Sequence, residues 1–206
     1  MKKRNTKHEK PLSMNTLLYL HGLTSSGQSN TPNMLRKLLP DWNIVSPDIP
    51  IDPEEALCML RRLCKEIAPD IVVGTSMGGM FAQQMHGYRK ILVNPAFHVS
   101  EFMRQNLGVQ TFFSPRKDGA TEYEITSELC DAYKAMESQQ FDGILPQDKS
   151  ITMALFGTED DLVDGREEYY QHYSHGTMFE GGHRLTMEVV ENVLLKWINL
   201  NGEWGI

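Results

Sequence analysis

Short apolar runs alternate along this chain with longer segments whose apolar positions recur every three to four residues. Thr16 to Leu20 is the first apolar run and predicts a strand. Thr31–Pro32 then offers an N-cap followed by proline at the first helical position, predicting a helix to about Leu39. Trp42 to Ser46 predicts a second strand. Asp52-Pro53-Glu54-Glu55 repeats the helix-start signal, with acids in the first turn where the helix dipole favours them. That helix carries Leu57, Leu60, Leu63, Cys64 and Ile67 on one face and stops before Pro69. Ile71 to Val73 predicts a third strand, Met77 to His86 a helix ended by Gly87, and Ile91 to Val93 a fourth strand.

Residues 96–149 break this rhythm. They hold helix-like pieces near Ser100 to Asn106 and Ser127 to Gln139, and no convincing strand. The alternation then resumes with a strand at Ile151 to Phe156 and a helix at Asp164 to Tyr173. A short strand at Thr177 to Phe179 follows, then a final helix at Thr186 to Asn199. That last helix turns Val189, Val190, Val193, Leu194 and Trp197 toward the core. Strands alternating with helices predict an α/β domain, a mainly parallel sheet with helices on both faces. The strands are apolar throughout rather than alternating, which fits burial on both faces. In such sheets ligands bind beyond the carboxyl ends of the strands, so the chemistry is sought in the loops that follow each strand.

Composition narrows the classes. A length of 206 residues suits one domain with a sizeable core. The formal net charge of −7 argues against nucleic acid as the main partner, because phosphate binding needs a concentrated basic surface. The basic residues Lys2, Lys3, Arg4, Lys7 and Lys10 cluster in residues 1–13, which read as a flexible tail. No apolar stretch approaches a signal-peptide core or a membrane span, so a cytoplasmic location is expected. Cys58, Cys64 and Cys130 form no paired motif and read as reduced, mostly buried thiols.

The loops after the strands carry the chemistry. The first reads His21-Gly-Leu-Thr-Ser-Ser-Gly27, the third Gly74-Thr-Ser-Met-Gly78 and the fourth Asn94-Pro-Ala-Phe97. The fifth reads Gly157-Thr-Glu-Asp-Asp-Leu-Val163 and the sixth Glu180-Gly-Gly-His183. A serine, an acid and a histidine therefore follow successive strands, in the chain order of an α/β-hydrolase triad. A serine hydroxyl is a poor nucleophile until a base takes its proton, and imidazole has the basicity for that near neutrality. A carboxylate behind the histidine holds its tautomer and steadies the imidazolium. Gly74 and Gly78 let strand turn sharply into helix, so that the Ser76 hydroxyl and the Met77 N–H reach the same space.

Among the later histidines, His183 stands where a triad base belongs, whereas His172 and His175 read as surface residues. Asp160, Asp161 and Asp164 compete for the acid. Gly157-x-x-Asp160-x-x-Val163 resembles the usual acid turn of the α/β-hydrolase fold, which favours Asp160; Asp161 is the runner-up, and Asp164 reads as the N-cap of the next helix. A metal site built on these acids lacks a histidine at ligand spacing. His21 reads as a structural histidine that shapes its loop.

These motifs together resemble the α/β-hydrolase superfamily, and more narrowly the small bacterial esterases of the YqiA/YcfP-like group (UPF0227). The matching stretches are Thr16 to Ser26, Gly74 to Gly79, Leu92 to Ala96 and Glu180 to His183, and the similarity runs from about Met14 to the last helix. Relatives begin close to the first strand, so Met1 and Met14 both stand as candidate starts. The resemblance implies a compact fold over 14–206 with sheet order 2-1-3-4-5-6. It implies hydrolysis of a small-molecule carboxylic ester or thioester without a cofactor or metal. Ser76, Asp160 and His183 would form the triad, with an oxyanion hole from the Leu23 and Met77 N–H groups beside His21–Gly22. Residues 96–149 are expected to form a lid in which Phe97, Phe102, Phe112 and Phe113 could line an acyl pocket, with ordinary core packing as the alternative. The same triad could instead serve a peptidase, a lactonase or a C–C hydrolase, and a non-catalytic binding protein is the more distant reading. Oligomeric state is not legible.

Overall fold

The computed structural model describes residues 14–200; the basic segment 1–13 lies outside the described residues. In chain order the strands are β1 (Thr16–Leu20), β2 (Asn43–Val45), β3 (Ile71–Thr75) and β4 (Lys90–Val93), then β5 (Gly108–Thr111) and β6 (Glu122–Ile125), then β7 (Thr152–Gly157) and β8 (Gly176–Phe179). Six of them form one sheet in the order β2-β1-β3-β4-β7-β8, every pairing parallel. This is the predicted order, with the fifth and sixth main-sheet strands as β7 and β8. The helices are α1 (Asn30–Leu38), α2 (Pro53–Ile67), α3 (Met77–Gln83), α4 (Val99–Arg104), α5 (Ser127–Glu137), α6 (Pro146–Ser150) and α7 (Arg166–His172). The last helical run comprises α8 (Met187–Val189), a π-helical turn (Val190–Leu194) and α9 (Leu195–Asn199).

Side chains on a strand alternate between faces, and both faces are buried. Leu18, Leu20, Val72, Leu92, Ala154 and Phe156 join one core with Leu60 of α2, Phe81 of α3, Tyr133 of α5 and Tyr169 of α7. Leu17, Tyr19, Ile71, Val73, Ile91, Val93 and Leu155 join the other with Leu35 of α1 and Val190, Leu194 and Ile198 of the last helical run. Truncating one such leucine to alanine costs about 2–5 kcal/mol, so the two cores fix the strand ends, and hence the loops, rigidly.

Local signals account for most boundaries. Asp52 caps α2 as expected, Oδ1 accepting from Glu54 N at 3.0 Å and Glu55 N at 2.9 Å. The α1 start differs from prediction: Ser29 is the N-cap, and Pro32 is the third helical residue. Proline is tolerated throughout a first turn, whose N–H groups lack helical acceptors. α3 ends at Gln83 rather than His86. Its last turn tightens through Gln84 N to Phe81 O and Met85 N to Ala82 O bonds. The buried Lys90 Nζ takes the Met85 carbonyl at 3.0 Å. Lys90 is itself matched by buried Asp148 at 3.2 Å, which also accepts from Gly87 N and Leu145 N and meets His86 Nδ1. Asp164 is not the cap of α7; Gly165 is, and Asp164 pairs with Arg166.

Residues 96–149 contain strands after all. β5 and β6 form an antiparallel pair outside the main sheet, with Val109 facing Glu124 and Gln110 facing Tyr123. The connection between them is tied to the loops after β1 and β2. Phe113 N donates to Thr24 O at 2.8 Å, Ser26 Oγ to Pro115 O at 2.7 Å, and Arg116 to Ile49 O at 3.3 Å. Cys64 and Cys130 are buried, whereas Cys58 is exposed. Among the described residues, no helix is long and apolar enough to cross a membrane.

Candidate active site

Strand β3 delivers Ser76 onto a strained turn. Its φ of 56° and ψ of −124° lie in a region that non-glycine residues rarely occupy, at a cost of about 1–3 kcal/mol. Surrounding bonds hold it there: Ser76 N donates to Val93 O at 3.0 Å, and Ser76 O accepts from Gly79 N at 2.8 Å and Ala96 N at 3.1 Å. The two motif glycines are required by close approach. A Cβ on Gly74 would lie 2.1 Å from Gly78 O, and one on Gly78 would lie 2.1 Å from Leu20 O. α3 is thereby seated directly against the end of β1.

The loop after β1 meets this turn. A Cβ on Gly22 would stand in ordinary contact with Ser76, 3.4 Å from its Cβ and 3.8 Å from its Oγ, so the loop after β1 runs beside the serine side chain. His21 sets the loop. Ile49 N–H donates to its Nε2 at 3.0 Å, which leaves the ring proton on Nδ1, 2.8 Å from Gly22 O. Both ring nitrogens are spent on backbone groups of its own loop and of the segment after β2. Burial pulls its pKa down to about 4, with the Gly22 carbonyl opposing. Leu23 N–H and Met77 N–H donate to no protein acceptor among the described residues.

On the other side, Asp160 and His183 meet. Asp160 Oδ2 lies 2.8 Å from His183 Nδ1, while Oδ1 accepts from Leu162 N at 2.9 Å and Val163 N at 3.0 Å. The carboxylate is 3% exposed and the imidazole 15%, so the pair is sheltered yet reachable. Asp161 is exposed, and the Arg166 guanidinium beside Asp164 holds its carboxyl down at about 2.

The four phenylalanines have separate surroundings. Phe97 is in the core, its ring 5.1 Å from that of Phe141. Phe102 is exposed on α4. Phe112 packs its ring, tilted by 35°, against Tyr123 at 4.7 Å between centres. Phe113 is exposed, with the Arg184 guanidinium 5.5 Å from its ring centre. His172 is half-buried rather than a surface residue, stacked on Phe141 at 3.9 Å.

One residue had no assigned role in the sequence. Asn94, at the end of β4, accepts from Gly157 N at 2.7 Å and donates to Gly182 O at 3.1 Å and His183 O at 3.3 Å. Its φ is 45°. The available signal was an asparagine, tolerant of left-handed backbone, standing before a proline at a strand end.

A parallel six-stranded sheet in this order, with a strained serine turn after the third strand, defines the α/β-hydrolase fold. Solved structures agree. Est1E from Butyrivibrio proteoclasticus is 12% identical with a TM-score of 0.64, covering 93% of this chain and 89% of that one. One of the metagenome-derived lipolytic enzymes LipS and LipT is 14% identical with a TM-score of 0.60, covering 90% and 92%. The methylesterase MES16 from Arabidopsis is 13% identical with a TM-score of 0.59, covering 89% and 98%. At such identities the likeness is one of fold. Residues 16–197 match the Uncharacterised protein family (UPF0227), and the chain belongs to that family.

Proposed function

We propose that this chain is a serine hydrolase of small-molecule carboxylic esters or thioesters. The observation that carries the reading is the 2.8 Å bond between Asp160 Oδ2 and His183 Nδ1, because it leaves His183 Nε2 as the free basic nitrogen. Ser76 Oγ attacks the substrate carbonyl carbon and passes its proton to His183 Nε2. The carbonyl oxygen becomes an oxyanion held by the Leu23 and Met77 N–H groups, each worth about 3–4 kcal/mol in the transition state. His183 returns the proton to the departing alcohol or thiol, leaving an acyl group on Ser76. Water, deprotonated by His183, then attacks that acyl carbon and releases the acid. Asp160 accepts from the His183 Nδ1–H and stabilises the imidazolium. Residues 96–149 act as a cover, tied to the oxyanion loop by the Phe113 N to Thr24 O bond.

A panel of p-nitrophenyl esters and acyl-thioesters of increasing chain length tests this. The wild type should turn over at least one series, and Ser76→Ala should lose that activity by about 10⁶-fold in kcat. Equal turnover by Ser76→Ala would overturn the reading.

A further inference from the structure

Three loops must meet for the proposed chemistry: the serine turn after β3, the acid turn after β7 and the histidine loop after β8. Asn94 stands between the last two and shares a strand end with the first. Its amide oxygen accepts from Gly157 N, the first residue of the acid turn, at 2.7 Å. Its amide nitrogen donates to the carbonyls of Gly182 at 3.1 Å and of His183 itself at 3.3 Å. Its backbone N–H bonds Leu155 O at 2.9 Å, and the next two residues lead to Ala96 N, which holds Ser76 O at 3.1 Å. The side chain is almost wholly buried, and each half of its amide has backbone partners.

The backbone conformation makes this costly to arrange. A residue before proline is normally extended, yet Asn94, preceding Pro95, has φ 45°. Asparagine tolerates that region better than most residues. Glycine would adopt it more easily, so the turn alone does not call for an amide. An aspartate would accept from Gly157 N but could donate to neither carbonyl. The pattern of one acceptor and two donated bonds is one that an asparagine side chain satisfies.

We infer that Asn94 is the positioning residue of the site, clamping the acid turn to the histidine loop so that Asp160 and His183 keep their bond. This rests on the triad reading above. Asn94 touches no reacting atom; it acts through the His183 carbonyl and the Gly157 N–H.

The test compares wild type, Asn94→Gly, Asn94→Asp and the reference His183→Ala. Asn94→Gly keeps the left-handed turn and removes the clamp. Asn94→Asp keeps size and acceptor but sets a carboxylate against two carbonyls. The first readout is the rate of reaction of Ser76 with a fluorophosphonate, followed by intact-protein mass. The second is the downfield Nδ1–H proton resonance of His183, identified by its absence in His183→Ala. The third is kcat and KM on the best ester or thioester. Misplacing a base by about an ångström costs about 10²-fold, so Asn94→Gly should label about 10²-fold more slowly and Asn94→Asp more slowly still. The loss should fall on kcat, KM should hold within about twofold, and the His183 resonance should move or broaden while unfolding stays cooperative. Asn94→Gly labelling at the wild-type rate with an unmoved resonance would overturn the inference. So would slowing confined to Asn94→Asp, which would report only the added charge. A wild type that never labels at Ser76 would overturn the triad reading and the clamp with it, and the two failures are thus distinguishable.

Discussion

Lowering the pH should loosen this protein through His21. The ring is buried, and its pKa of about 4 lies below the ordinary 6.5. Its Nε2 accepts from Ile49 N–H at 3.0 Å, so a second proton would set two donors face to face. The sign follows from proton counting. Between the two pKa values the unfolded chain binds a proton at His21 that the folded chain does not, so stability rises with pH there and falls on acidification. The contribution is fully present above about pH 6.5 and is lost progressively as the pH falls through 4. The whole difference is about 2.5 pK units, roughly 3 kcal/mol, of which roughly 2 kcal/mol is gone by about pH 5. Other carboxylates and histidines also titrate in this range, so the variant His21→Gln serves as the reference; its amide oxygen can still accept from Ile49 N. Urea unfolding at about pH 7.5 and about pH 5 should show the wild type losing roughly 2 kcal/mol more than His21→Gln between the two. Equal losses would refute a neutral, backbone-anchored His21 as the support of the loop after β1.

Asp160→Asn should keep the turn's shape but favour the wrong His183 tautomer, lowering kcat about 10⁴-fold with little change in thermal midpoint; steady-state kinetics beside calorimetry checks both halves. Asp148→Asn should leave the buried Lys90 ammonium without its counter-charge and destabilise the fold by about 3–5 kcal/mol in urea unfolding. Adding an apolar residue of similar size at position 90 in that background should recover much of the loss.

The main sheet was legible because each strand is a continuous apolar run flanked by helix caps, and burial on both faces enforces that pattern. Ser76, Asp160 and His183 stand out in the sequence as candidates for a related reason: the topology sends successive loops to one edge of the sheet. The sequence alone leaves Asp160, Asp161 and Asp164 competing, because only the fold shows Asp160 beside His183, Asp164 paired with Arg166 and Asp161 facing solvent. β5 and β6 escaped notice because each is four residues long, largely exposed, and separated from its partner by a connection without apolar periodicity. Such a pair is specified by its partner rather than by its own pattern. Lys90 carries no signal of its own in the sequence; only the fold brings Asp148, fifty-eight positions away, to meet it. Asn94 lies within a short strand-end motif, but its three partners belong to two loops that sequence order keeps far from it.

The central claim is that Ser76 becomes acylated during turnover. Rapid acid quench of the protein with its best ester, followed by peptide mass spectrometry, tests it most directly. The account predicts a mass increase equal to the acyl group on the peptide containing Ser76, absent in Ser76→Ala and strongly diminished in His183→Ala. Acylation at another residue, or undiminished turnover by Ser76→Ala, would contradict it.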